Sequence, residues 1–219
     1  MAVTKSPDRL WFTGTEEADR LLAQEPLALL IGFELDQQVP LQKAFSGPLE
    51  LKRRIGTLDA ATIAAMDPDV LEAAFRERPA LLRFPGNMAR RTQDLCVVIA
   101  REFDNDAAAV WHDATDGLTL KKRLLGLPGF GEMKVGTIIA ILAKRFGIQP
   151  PGWEDVAPRH MTLGDVDSPE SLKAYQDGKR AYKAALRESE AAGAAGAAGA
   201  RTAAGAAAMT KPEGVHRRG

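Results

Sequence analysis

The sequence predicts an all-α fold, and three observations carry that prediction. Apolar residues recur at helical spacing, as in Met88, Thr92, Leu95, Cys96, Ile99 and Phe103, and again in Val135, Ile138, Ile139, Leu142 and Phe146. No stretch alternates at period two, as half-buried strands do. Proline, glycine and aspartate also punctuate the chain at short intervals, where helices start and stop.

Taken in order, Leu10-Trp11-Phe12 reads as part of an extended N-terminal arm, residues 1–14, packed on the body. A helix runs from Thr15 through Leu21 and Leu22 to Pro26. Leu27 to Gln38 is nearly all apolar and turns polar at Asp36-Gln37-Gln38, so a helix buried along most of its length ends in two amides and a carboxylate. Ser46-Gly47-Pro48 predicts a break, followed by a short helix over Leu49–Ile55 bearing Lys52, Arg53 and Arg54. Asp59 predicts one N-cap and Asp67-Pro68 another. Phe84-Pro85-Gly86-Asn87 reads as a turn before the helix that carries Cys96 on its apolar face. A short helix at Val110-Trp111 leads to Leu118–Leu125. Beyond Phe146 the chain reads as loop to Asp167, and Ser168-Pro169-Glu170 starts a last helix with Leu172, Tyr175, Tyr182 and Leu186 placed to pack. Residues 189–219, rich in Ala and Gly, read as a disordered tail, because frequent glycine disfavours an isolated helix.

Composition narrows the function classes. Apolar residues make up 45% of the 219, enough for a sizeable core. No run of 18 uncharged apolar residues predicts a membrane span, and Met1 to Asp8 lacks a signal-peptide core, so a cytoplasmic protein is expected. The single cysteine, Cys96, rules out an internal disulfide and a four-cysteine zinc or iron–sulfur site. His112, His160 and His216 are scattered, so no metal site is expected. Formal net charge is zero; Arg201, Lys211, Arg217 and Arg218 against Glu213 give residues 191–219 a net of +3 and leave −3 for residues 1–190. Any basic surface must therefore be local.

The stretch Leu124-Leu125-Gly126-Leu127-Pro128-Gly129-Phe130-Gly131-Glu132-Met133-Lys134 joins two helices through a tight turn. Gly129 and Gly131 lack a Cβ and allow close approach to the main chain. The first amides of the following helix have no intrahelical partner and carry the positive dipole end, which suits one phosphate. This is the sequence form of a helix-hairpin-helix, which grips a nucleic-acid backbone without reading bases. The alternative is an interhelical turn that binds nothing.

Two motifs in order, Leu35-Asp36-Gln37-Gln38-Val39 and Leu127-Pro128-Gly129-Phe130-Gly131, resemble the HhH-GPD superfamily of base-excision DNA glycosylases. The runs from Phe33 to Pro40 and from Ala44 to Arg54, with Leu127–Glu132 and Pro151-Gly152-Trp153, look like one small bacterial HhH-GPD family known mainly as base-excision-repair-type proteins. The resemblance implies a two-lobed helical domain over residues 15–188. One lobe spans about 30–135, the other joins 15–30 to 136–188, and double-stranded DNA crosses the mouth between them. The target nucleotide is rotated out of the duplex, and Gln38 matches the position of the side chain that fills the gap. The amides of Gln37 and Gln38 also fit a helix-capping role. The resemblance further implies a nucleoid-associated monomer, with one monovalent cation possible at the hairpin carbonyls.

Hydrolysis of an N-glycosidic bond needs a carboxylate near the sugar, and lyase-type relatives add a Schiff-base lysine. Met133 stands at that lysine's position, and Lys134 is rotated about 100° further, toward solvent or phosphate; no Schiff-base lyase activity is expected. The superfamily's aspartate lies beyond the second hairpin helix, where this chain offers Asp155 first and Glu154 second. Asp36 and Trp153 are candidates for a base pocket, while Trp11, Phe33, Trp111 and Phe130 are further aromatics better suited to the core. Gly129, Phe130, Gly131, Glu132, Met133, Lys134, Gln37 and Gln38 make up the expected DNA contact. Three functions remain open at this point: a monofunctional DNA N-glycosylase, a non-catalytic DNA-binding protein that senses distorted duplex, and a protein-interaction module.

Overall fold

The computed structural model describes residues 7–182 and 184–185. The chain divides into two compact units, residues 1–175 and 176–219. In the second, 176–182 and 184–185 are helical, and Tyr182, expected to pack, is 69% exposed. Leu186 and the predicted tail lie outside the described residues.

The first unit is all-α: among its described residues every regular element is a helix and none is a strand. Its helices are α1 (Glu16–Gln24), α2 (Pro26–Leu35), α3 (Leu41–Ile55), α4 (Ala60–Ala65), α5 (Pro68–Arg76), α6 (Pro85–Glu102), α7 (Ala109–His112), α8 (Gly117–Leu125), α9 (Glu132–Arg145) and α10 (Trp153–Val156). A 3-10 turn at Leu163–Asp165 and the start of a helix at 169 complete it. One hydrophobic cluster joins side chains from Leu10 to Leu172.

Several starts follow from local chemistry. The Asp59 carboxylate accepts the Thr62 amide, and that of Asp67 accepts the Asp69 amide with Pro68 at the first helical position, as their sequences predict. Leu10 and Phe12 of the arm are fully buried. The arm is held by Asp19, whose Oδ1 accepts the amides of Phe12 and Thr13 and the Thr13 hydroxyl at 2.8–3.1 Å.

Helix α2 is the centre: every residue from Leu27 to Leu35 is buried. It packs on α3, and this contact corrects the predicted break at Ser46-Gly47-Pro48, through which α3 runs continuously. Gly47 lies where a Cβ would strike Leu35 Cδ1, at 2.5 Å, and a Cβ on Gly32 would lie 2.7 Å from the Phe45 ring. The glycines let the two helices approach, and burial of Pro48 and Phe45 offsets the lost proline N–H, a cost of about 3 kcal/mol. Pro85-Gly86-Asn87, expected as a turn, is the first turn of α6. Part of the predicted loop after Phe146 also folds as a helical turn, α10.

Candidate functional site

The turn between α8 and α9 is pinned from below and bare above. Leu127 and Phe130 are buried, at 3% and 5% exposure, and the Phe130 amide donates to the Leu127 carbonyl at 3.2 Å. Gly129 takes φ +79°, open to glycine at little cost. Gly131, the N-cap of α9, is extended (φ −96°, ψ 173°), with no side-chain cap. A Cβ placed on Gly131 would meet nothing within 4 Å. The first amides of α9 thus open outward beside an empty approach. Phe130 contributes only main chain here, because its ring belongs to the core.

Beneath Gly129 sits the residue that organises the site, Glu34. It is the lone charged residue of the apolar α2 and is 0% exposed. Its Oε1 accepts the Nε–H of Arg91 on α6 in a short ion pair. Its Oε2 lies 3.9 Å from Nζ of Lys134 on α9. Gln37 folds back so that its Nε2 donates to the Glu34 carbonyl at 3.0 Å and to Oε1 at 3.3 Å. A Cβ on Gly129 would overlap both Glu34 oxygens and come within 2.6 Å of Arg91 Nη2. The turn therefore rests directly on this ion pair, and Gly129 is required for the contact.

Burial dominates the electrostatics. It pushes the Glu34 carboxyl above its ordinary value of 4.5 despite the opposing Arg91 hydrogen bond and the Lys134 charge. It likewise pushes the Lys134 amine below its ordinary value, against the attraction of Glu34 and, more weakly, Asp36. Glu34 Oε2 and Lys134 Nζ are both buried and lack a hydrogen-bond partner.

This geometry corrects the expected direction of Lys134. The residue is one helical turn from the fully buried Ile138 and so shares its inward face; its amine lies 5.7 Å from the Phe130 ring centre rather than in solvent. Gln37 is likewise turned inward. Gln38 is exposed on a left-handed backbone, φ +56°, at the end of α2. Asp36 is half-buried and feels the Lys134 charge. Glu132 is exposed and pairs with Lys121 of α8 at 2.7 Å, and Met133 is 88% exposed. The two sequence motifs thus meet around Glu34.

The structure does not bring the expected acids into this cluster. Glu154 and Asp155 are exposed on α10, and Trp153 packs on the core. The segment after α10 lies against Gly136, where a Cβ would be 3.0 Å from Pro158 Cγ. Gly136 is two residues beyond Lys134, about 200° around the helix. Helix α9 therefore stands between the α10 segment and Glu34. Trp11 is half-buried, and Phe33 and Trp111 are buried in the core. Among the described residues no group of His, Cys, Asp and Glu could hold a metal ion, and no helix is long and apolar enough to cross a membrane. Burial raises the Cys96 thiol to about 12, which leaves it inert.

Sequence reasoning missed Glu34 and Arg91 as site residues. A single carboxylate in an otherwise apolar helix is itself a signal, since a buried charge needs a partner; its partner stands 57 residues away and could not be named from spacing. A polar concavity of about 400 Å³ opens elsewhere, lined by Glu25, Lys52, Asp59 and Asn105 among others. Glu25 pairs there with Lys52, and Asp59 with Thr62 and Asn105, so these groups already have partners within the protein.

Comparison of the chain with protein-family models, curated proteins and solved structures gives no match.

Proposed function

We propose that this protein binds duplex DNA through the α8–α9 turn, as a helix-hairpin-helix protein of the base-excision-repair type that the two motifs resemble. One observation carries the reading: the bare amide end of α9 and the exposed Gln38 are both anchored on Glu34, through Gly129 and Gln37. An amide cradle of this kind holds a phosphate by unpaired N–H groups and the helix dipole, and Gln38, exposed beyond the end of α2, is the amide side chain offered to the strand.

Between the two DNA readings, the geometry favours binding without base removal. Glu154 and Asp155 face solvent across α9 from the cluster, and Glu34 is sealed under Gly129. The N-glycosylase reading predicts abasic sites from some lesion duplex, lost in Asp155→Asn. A panel of single-lesion duplexes that yields no alkali-sensitive strand supports the binding reading.

Gly131→Leu tests the DNA contact itself. The backbone there is extended and the space is open, so the fold tolerates the side chain, yet leucine would stand in the phosphate approach. We expect an unchanged melting temperature and at least tenfold weaker binding to a short duplex by fluorescence anisotropy. Unchanged affinity would refute the assignment.

A further inference from the structure

Another cavity, of about 150 Å³, lies away from the hairpin, between the α1–α2 corner, the end of α7 and the end of α9. Its floor is apolar and buried: of Leu22, Ala23, Leu29 and Trp111, none is more than 5% exposed. Phe146 and Ile148, both half-buried, form a wall. Local chemistry fixes that wall. Gly147 takes φ +67°, and the Ile148 amide donates back to the Leu142 carbonyl at 2.9 Å, which folds Ile148 against the end of α9. Pro26, at the first position of α2, likewise fixes the corner with α1. Walls held in this way keep the space open, whereas close-packed interiors have few voids larger than a water molecule.

We propose that this cavity binds one uncharged, single-ring aromatic molecule that carries a hydrogen-bonding group, with an aromatic carboxamide as the simplest form. Size sets the first limit, since an apolar cavity of about 150 Å³ takes one benzene ring. Shape sets the second. The Trp111 and His112 rings stand at 88° with centroids 6.3 Å apart, so a flat ring stacked on one is presented edge-to-face to the other. Charge sets the third: no Asp, Glu, Lys or Arg lines the cavity, so a charged ligand would lose its water without gaining a counter-charge. Gln24 and His112 are exposed at the mouth, and neither side chain has a hydrogen-bond partner among the described residues. A carboxamide pairs donor to acceptor with the Gln24 amide, and His112 adds one further polar contact. The occupant is a free small molecule rather than a side chain of a partner protein. None of the strongly exposed large apolar residues lines the cavity to continue such an interface around it. The site is also separate from the α8–α9 turn, because the length of α9 puts about 20 Å between Gly131 and Phe146. The inference is therefore independent of the DNA reading.

The test titrates the full chain with benzamide and follows the tryptophan indole signals by proton–nitrogen NMR, with the Trp111 signal assigned from Trp111→Phe. Benzamide should shift that signal saturably at millimolar concentration or below, the range open to so small a ligand. Benzoate and cyclohexanecarboxamide should bind at least about tenfold more weakly, the first for its charge and the second because it is not flat. Ala23→Leu fills the floor and should abolish the shift without lowering the melting temperature. Gln24→Ala, at an exposed position, should keep the fold and weaken benzamide about fivefold, so the test stays decisive even if the floor variant does not fold. Wild type without a saturable shift overturns the site, as does a shift that survives in folded Ala23→Leu. Benzoate bound as tightly as benzamide, or an affinity unchanged in Gln24→Ala, overturns the ligand class. N-acetylphenylalanine amide bound more tightly than benzamide overturns the small-molecule assignment in favour of a partner's side chain.

Discussion

Glu34 is one residue whose charge state links the site to stability. Burial raises its pKa and lowers that of Lys134, so folding shifts each group toward its neutral form relative to the unfolded chain. For an acid with a raised folded pKa, the native state holds more protons than the unfolded chain between the two values, so stability falls as pH rises through that window. Glutamine copies the neutral acid but cannot titrate. Wild type should therefore be most stable relative to Glu34→Gln near pH 4.5, Glu34's ordinary value, and lose part of that advantage as pH rises above it. Urea unfolding of both proteins from pH 4 to 8 measures this, and an advantage that grows with pH would show that Arg91, rather than burial, governs Glu34. Glu34→Ala should cost about 2 kcal/mol, because it removes a fully buried side chain and leaves Gln37 and the buried Lys134 amine without their carboxylate partner.

At the scale of elements, the local signals were legible and the contacts between distant segments were not. Asp59 and Asp67-Pro68 announce their helices because a cap is chemistry within three residues. The α8–α9 turn was legible for the same reason: its glycines and the apolar Leu127 and Phe130 lie within a few residues of one another. The continuity of α3 through Pro48 was not, because it depends on Gly47 meeting Leu35 of another helix. The inward turn of Lys134 could have been read from its spacing to Ile138, whereas Arg91 as the partner of Glu34 could not. Another contact of this kind holds the α10 segment in place. The Gly117 amide donates to the Pro151 carbonyl at 2.9 Å, and a Cβ on Gly117 would sit 2.5 Å from the Gly152 carbonyl oxygen. Main chain cannot step aside as a flexible side chain can. Gly117→Ala should thus destabilise by about 2 kcal/mol through overpacking, read from urea midpoints, and faster backbone hydrogen exchange at 151–157 would locate the damage. Unchanged exchange there would show that α8 yields instead.

For the whole molecule, the balance of charge limits how DNA can be held. Formal net charge is zero, so no broad positive field draws a polyanion to the protein. Many cations are also engaged within the protein: Lys52 with Glu25, Arg53 with Glu17 and Glu50, Arg76 with Glu72, Arg91 with Glu34, Lys121 with Glu132, and Lys144 with Asp165. Binding must rest on a small footprint around the α9 amides, beside Arg91, which is part-exposed and reaches under Gly129. Affinity for duplex falls with salt in proportion to the phosphates neutralised, with a slope of about −0.9 per phosphate in log–log form. Two or three contacts predict a slope of about −2 to −3, measured by anisotropy across a salt series. Gly131→Leu, which obstructs the amide cradle, should flatten that slope. A wild-type slope near −6 would require a second and larger basic surface, and the hairpin would then be an accessory to it.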